Sequence, residues 1–362
     1  MNLKLSTKLI KAFVDKKNVN IDQRLIHVTL NEEGYISLKA TSGSAILLVD
    51  TKCVSQHTDL GYLNVDSLCG MADQFPEMNC MSFMKTGIRF SNSTDPSVKD
   101  GSIYYVPKSM LEGNFYDGLI RPNGSKWIDI YEGIINFKSI KKLSHSSKAT
   151  DVFGHPRMCA VFDSYMYTYR HSSMTRVPFH LKKKMYFDYR DIACVQHFLP
   201  EEIEIKTSGK SLMISQDNVS MCILSRSLDK DYVSSFAKAF AGVKEYTITV
   251  SRKDFKQSLI YVKKICKTAD CRIKIKDTKI ELEAVYDLGK AKKDMSSFSD
   301  TKIVTPITCK TKIDLLLDFV RCGTSESINI NISKKDPFNR YLSMSDGEIE
   351  ELIALRNDGV IA

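Results

Sequence analysis

Three amphipathic stretches begin near Thr7, Asp129 and Ser251, 122 residues apart each time (129 − 7 and 251 − 129). Such a recurrence restricts the fold more than any local motif, because each copy must bury the same kind of face against the same kind of neighbour. The third copy is the most explicit. In "SRKDFKQSLIYVKKICK", Phe255, Leu259, Val262 and Cys266 share one narrow stripe at about 100° per residue, which predicts a helix. Lys253, Lys256, Lys263, Lys264 and Lys267 fall on its other side, and Ser251 is placed to cap its start with Asp254 close behind. In the second copy, "EGIINFKSIKKLSHSSK", Phe137, Ile140 and Leu143 oppose Lys138, Lys141 and Lys142. In the first, "STKLIKAFVDKK", Leu9, Ile10 and Phe13 form the buried side, Lys8 and Lys11 face away, and Asp15 dilutes the charge. A short strand-like run precedes each: "NLKL", "WIDI" and "YTITV".

The segments after each helix also recur. Three strand-like runs come next, with the alternation clearest in "RIKIKDTKIELEA". A second helical segment then appears as "NVDSLCGMADQF", "DYRDIACVQHFL" and "KTKIDLLLDFV". The breaks after it, at Pro76, Pro200 and Thr324, are 124 apart (200 − 76 and 324 − 200). Further strands close each copy, ending in "GSIYYVP", "SMCILSR" and "EELIALR". The predicted architecture is α+β, three copies of one unit of about 120 residues, ordered strand, helix, three strands, helix and about three strands. The expected domains are 1–122, 123–243 and 244–362, with joints at "RPNGSK" and "AFAGVKE".

Composition removes several alternatives. A chain that is 43% hydrophobic and 26% charged is neither disordered nor fibrous. It contains no apolar run of about 18 residues, so no membrane partner is expected. The opening "MNLKLSTKLIKAF" reads as structure rather than as a secretion signal. Ten cysteines without a C-x-x-C pair read as free, mostly buried thiols of a reducing compartment. "SGKS" at Ser208–Ser211 lacks the preceding glycine of a phosphate loop, since Glu204 stands there, and reads as a hairpin turn. None of the seven histidines forms a metal-binding pair, and the paired acids lie at turns and strand ends. The sequence therefore points to no catalytic residue, metal site or cofactor.

The lysine faces remain. The net charge of +9 is mild for this length, so its placement matters more than its size. Three basic helix faces, one per copy, predict diffuse attraction to phosphate without base reading. Tyr165, Tyr167 and Tyr169 alternate on one strand, either to stack on bases or to pack in a core or interface.

In order and length, the whole chain resembles the DNA polymerase III beta subunit, the bacterial sliding clamp. The strongest local carriers are "DYRDIACVQHFLPEEIEIKTSGKSLMIS" and the closing "LSMSDGEIEELIALR". The resemblance implies a homodimer closed head to tail into a ring, with inner helices and outer sheets. It implies a processivity factor, not an enzyme, that encircles double-stranded DNA and tethers the replicative DNA polymerase, with a clamp loader as a further partner. Lys8, Lys11, Lys138, Lys141, Lys142, Lys253, Lys256, Lys263, Lys264 and Lys267 would then face the DNA.

The resemblance also implies a peptide pocket between the second and third units. Its wall would be His171, Ser172, Ser173, Met174 and Thr175, with Lys238 and Ala239 from the linker. Leu352, Ile353, Ala354, Leu355 and Arg356 would come from the closing strand. The family's Asp-Gly-His-Arg run is "HSSM" here, Ala354 replaces a proline, and "NDGVIA" comes after Arg356. Such divergence suits a phage-encoded member acting in the bacterial cytoplasm. Ile103, Tyr104, Tyr105, Ile265 and Ile273 are candidates for the ring joint or for ordinary core. The competing functions are a monomeric processivity factor or DNA-coating protein and, behind these, a metal-dependent nuclease.

Overall fold

The structure is a computed structural model. It describes residues 10–11, 13, 24–30, 33–41, 45–54, 60–74, 80–91, 101–106, 128–129, 158–170, 172–179, 184–195, 198, 203–208, 211–225, 234–267, 270–286, 289–323, 325–347 and 349–356. The chain begins with β1 (Leu25–Leu30), β2 (Tyr35–Thr41), β3 (Ala45–Val54) and β4 (Tyr62–Asn64), then α1 (Val65–Gln74). β5 (Cys80–Met84), β6 (Gly87–Ser91) and β7 (Gly101–Tyr104) come after it. Next are β8 (Ile128–Asp129), β9 (Met158–Phe162), β10 (Tyr165–Arg170), β11 (Ser173–Pro178), β12 (Met185–Asp188) and α2 (Tyr189–Cys194). β13 (Glu204–Ser208), β14 (Ser211–Gln216) and β15 (Val219–Leu224) lead to α3 (Ser234–Gly242). The last part holds β16 (Tyr246–Ser251), α4 (Arg252–Cys266), β17 (Asp270–Ile275), β18 (Lys279–Tyr286), β19 (Gly289–Ser299) and β20 (Ile307–Lys312). It ends with α5 (Ile313–Cys322), β21 (Ser327–Ile332), β22 (Tyr341–Asp346) and β23 (Ile349–Ala354).

Two compact units result, one from residues 1–134 with 190–226 and one from 135–189 with 227–362. The first contains an eight-stranded sheet ordered β4-β1-β2-β3-β15-β14-β13-β8 and a three-stranded sheet β5-β6-β7. The second contains a twelve-stranded sheet ordered β12-β9-β10-β11-β23-β22-β21-β16-β19-β18-β17-β20. One pairing scheme recurs. In β1–β4, β9–β12 and β17–β20, a three-stranded meander is completed by a fourth strand laid beside its first. That fourth strand is not expected from the sequence. The third strand of one meander pairs with the last strand of a later set, as β3 with β15 and β11 with β23.

The expected hairpin at "SGKS" is present, with Ser208 opposite Ser211 at the end of β13 and β14. At the β9–β10 turn, Asp163 and Ser164 have φ of 49° and 63°, the backbone a two-residue hairpin requires. Asn64 caps α1, its Oδ1 accepting from Asp66 N at 2.9 Å and Ser67 N at 3.1 Å.

In α4, the Ser251 hydroxyl accepts from Asp254 N at 3.3 Å, and the helix ends at Lys267, whose φ is 49°. Phe255, Ser258, Leu259, Val262 and Cys266 are buried against β18 and β19. Phe255, Leu259 and Val262 are fully covered, each contributing about 1.5–3 kcal/mol. α5 packs beside α4 with Leu315, Leu316, Leu317, Phe319 and Val320 buried. The joint expected at "AFAGVKE" (residues 239–245) is in its first half the end of α3, whose Ala239 and Phe240, with Val243 just beyond, are buried. Cys69, Cys159, Cys194, Cys222, Cys266, Cys271, Cys309 and Cys322 are thiols outside any disulfide, and all but Cys322 are buried. Among the described residues, no helix is long and apolar enough to cross a membrane.

Candidate functional site

Two surfaces of the second unit carry the residues singled out in the sequence. The first is the open side of α4. Lys253, Lys256, Lys264 and Lys267 are exposed there. Lys263 is half-buried and ion-paired with Asp314 of α5, which removes part of its charge from the open face. In the other unit, Ile10 and Phe13 are buried while Lys11 between them is exposed. Lys8, Lys138, Lys141 and Lys142 lie outside the described residues.

The second surface is where β11 meets β23. Ser173 pairs with Ile353, Met174 with Leu352 and Thr175 with Glu351, and Ala354 N donates to Ser172 O at 2.8 Å. The two remote segments of the expected pocket are thus adjacent strands. Met174 and Leu352 share a face with Ala160, Tyr167 and Tyr186, and α3 covers them with Ala239, Phe240 and Val243. Phe162, Tyr165, Phe338 and Tyr341 border this cluster and are partly exposed. Thr175 and Ile353 are fully covered on the opposite face of the sheet. Lys238 is exposed on α3, Ala354 and Leu355 are half-buried, and Arg356 lies 3.5 Å from Asp270. His171 is outside the described residues.

An ion pair that sequence reasoning missed organises this slot. Arg176 Nε and Nη2 donate to Glu350 Oε2 at 2.9 and 2.6 Å, with the side chains only 13% and 10% exposed. The guanidinium also lies over the rings of Tyr165 and Phe240, 4.5 and 4.4 Å from their centroids. It therefore ties β11, β10, β23 and α3 together. Ser343 Oγ donates to Glu350 Oε1 at 2.9 Å, and Lys244 Nζ approaches it at 3.2 Å. Burial works to lower the pKa of Arg176, but the charge and hydrogen bond of Glu350 outweigh it and raise it. Burial raises the pKa of Tyr167, against the pull of its bond to Arg176. Arg176 is legible in sequence as the residue sharing Met174's side of β11, but its partner is not. Of the alternating tyrosines, Tyr167 packs in the core: it is 2% exposed and its ring lies 6.2 Å from that of Phe240.

The five joint candidates divide. Tyr104 on β7 is 70% exposed, and Ile265 on α4 is 38% exposed beside Tyr261 at 47%. Ile103 is buried, and burial pushes the half-buried Tyr105 hydroxyl up to about 12. Ile273 is fully buried, because β17 lies between β18 and β20 and turns that side chain into the core. Among the described residues, no group of three or more His, Cys, Asp or Glu side chains could hold a metal ion.

No protein-family model matches the chain, and no curated protein matches it. Solved structures do match, over nearly the whole length of both chains. The DNA polymerase III beta subunit of Borrelia burgdorferi is 12% identical, with 98% of this chain and 97% of that one covered at a TM-score of 0.75. The Thermotoga maritima beta subunit is 11% identical, with 98% and 97% covered at 0.72. The Helicobacter pylori beta clamp, solved with a DNA ligase peptide, is 11% identical, with 98% of each chain covered at 0.70. The chain has the fold of these beta clamps.

Proposed function

We propose that this chain is a sliding clamp, a non-catalytic processivity factor that encircles duplex DNA and tethers a replicative polymerase. The observation that carries this reading is the beta-clamp fold running from end to end of the chain. Residues 1–122, 123–243 and 244–362 are its three clamp units, and the recurring meander with its added fourth strand supports that division. Lys253, Lys256, Lys264 and Lys267 of α4, with Lys8, Lys11, Lys138, Lys141 and Lys142 at the corresponding places of the sequence repeat, attract phosphate without fixing a register. Lys263 contributes less, being paired with Asp314. The setting is the cytoplasm of a bacterium or of a phage-infected one, and a clamp loader opens the ring.

The pairing scheme also suggests the ring joint. β3 pairs with β15 and β11 with β23; β19 pairs with β16 only over Ser297–Ser299, which leaves the rest of that edge of β19 and β7 as the corresponding couple. Among the described residues, β7 pairs along one edge only, with β6. β19 of one protomer joins β7 of its partner, with Tyr104 on one side and Tyr261 and Ile265 on the other. Two protomers then close six units. The slot between β11, β23 and α3 receives peptides of the polymerase, loader and repair proteins, as the ligase-peptide complex of the Helicobacter pylori clamp suggests.

Light scattering tests the ring and DNA topology tests the function. A species of twice the 41.0 kDa chain mass is expected, and Tyr104→Asp should return it to the monomer. Protein loaded on circular duplex DNA should stay bound through gel filtration and leave after one double-strand cut. Equal retention on linear and circular DNA would sink the clamp reading in favour of a coating protein.

A further inference from the structure

The face of β17–β20 turned away from α4 is a lattice of charges. The pairing register puts Arg272, Lys274, Lys310 and Lys312 on it from β17 and β20, and Lys279, Lys290 and Lys292 from β18 and β19. Its acids are Asp270, Glu281, Glu283 and Asp294. Three of these carboxylates are each shared by two cations. Glu281 lies 2.8 Å from Lys292 Nζ and 3.7 Å from Lys276 Nζ. Glu283 is paired with Lys290 and lies 3.6 Å from Arg272. Asp270 lies 3.5 Å from both Lys310 and Arg356. Asp294 pairs with Lys279 at 3.2 Å. With Lys276 and Arg356 included, nine cations stand against four acids, an excess of five (9 − 4) that no pairing within the face removes. Glu281 and Glu283 are buried beneath exposed Arg272, Lys290 and Lys292, so the positive charge is outermost. Among the described residues, Lys274 makes no ion pair.

An aromatic ring stands at one end of this lattice. Alternation along β19 carries Phe298 to the same face as Lys292 and Asp294, and it is 70% exposed. Ser296, two residues earlier, is opposite Lys279, and Ser297 N donates to Thr278 O at 3.0 Å. The ring therefore lies beside the β17–β18 hairpin that holds Lys276 and Lys279.

We propose that this outer face binds single-stranded nucleic acid, with phosphates drawn to the excess cations and a base stacked on Phe298. Lysines attract phosphate diffusely, and an exposed ring accepts any base on its face. A duplex keeps its bases stacked inside and offers the ring nothing. An acidic peptide matches the charge but brings no planar group to the ring. The face lies opposite the one that packs on α4, so this contact is separate from that of the proposed clamp and does not depend on it.

The test titrates the full chain into a labelled thymidine oligonucleotide, a duplex of the same length and polyglutamate at low salt, read by fluorescence anisotropy. Phe298→Ala should weaken oligonucleotide binding about tenfold and leave duplex binding unchanged. Lys274→Gln should lower the slope of log affinity against log salt by about 0.7, the share of one phosphate on a single strand. Phe298 is exposed and Lys274 is unpaired, so both variants should fold, with circular dichroism as the check. Full oligonucleotide affinity in both variants would overturn the inference. Loss in Lys256→Glu, Lys264→Glu instead would place the strand on α4. Polyglutamate binding as tight as that of the oligonucleotide, and indifferent to Phe298→Ala, would overturn it in favour of an acidic protein partner. An oligonucleotide that does not bind at all would also overturn it, and would leave the clamp reading intact.

Discussion

Replacing Glu350 by leucine should strand Arg176 and loosen the junction of β11, β23 and α3. Two charge-assisted hydrogen bonds, at 2.9 and 2.6 Å, join groups that are 13% and 10% exposed. Removing one member of a pair so buried costs about 3–5 kcal/mol, because the remaining charge keeps its desolvation and loses its partner. Glu350→Leu also takes the acceptor from Ser343, so it belongs at the upper end of that range. Arg176→Leu should cost less, about 2–3 kcal/mol, because Lys244 and Ser343 still neutralise and bond Glu350. The double variant leaves neither charge uncompensated, so the two single losses should exceed its loss by about 2–3 kcal/mol. Urea unfolding of the four proteins, monitored by far-ultraviolet circular dichroism at neutral pH, measures this coupling. Additivity within about 0.5 kcal/mol would refute the reasoning, since it would mean that the pair is solvated and the junction is held by apolar packing alone.

Lys256→Glu with Lys264→Glu should weaken DNA association and flatten its salt dependence by about 0.9 for each phosphate no longer neutralised, with unchanged circular dichroism. Filter binding across salt concentrations reads both. Phe240→Ala should destabilise the chain by about 3–5 kcal/mol, because it empties a fully buried ring site beneath α3, and a thermal melt measures the loss. Glu281 titrates below the carboxylate value of 4.5, chiefly through its hydrogen bond from Lys292 and against the opposing effect of burial. Its folded pKa is depressed, so its contribution is complete above pH 4.5 and is lost as pH falls through the lower folded value. Glu281→Gln should accordingly reduce stability at neutral pH and leave a shallower acid limb in unfolding curves taken from pH 7 down to about 2.

The helix of residues 252–266 is legible in the sequence because its apolar stripe, its serine cap and its lysines all obey one local period. The same holds for the strands of "RIKIKDTKIELEA" and for the "SGKS" hairpin. α3 reads as a joint because its alanines and terminal glycine resemble a linker, and its apolar stripe acquires meaning only over the aromatic face of β10 and β11. The lysines of α4 share one face as their spacing predicts, yet Lys263 is partly silenced by an acid on α5, 51 residues away.

The sequence by itself determined local periods, as in the helix of residues 252–266 and the paired strands of "RIKIKDTKIELEA". Tertiary structure alone decided what each face meets. Ile273 shares its alternation with residues that could have lain on a surface, but the strand is sandwiched between β18 and β20 and that side turns inward. Arg176 could have been one more solvated cation until a carboxylate 174 residues away was laid beside it. Periodicity is imposed by the geometry of neighbouring residues and is written along the chain. The partner of a face is imposed by which distant strands pair, and no window of sequence holds both.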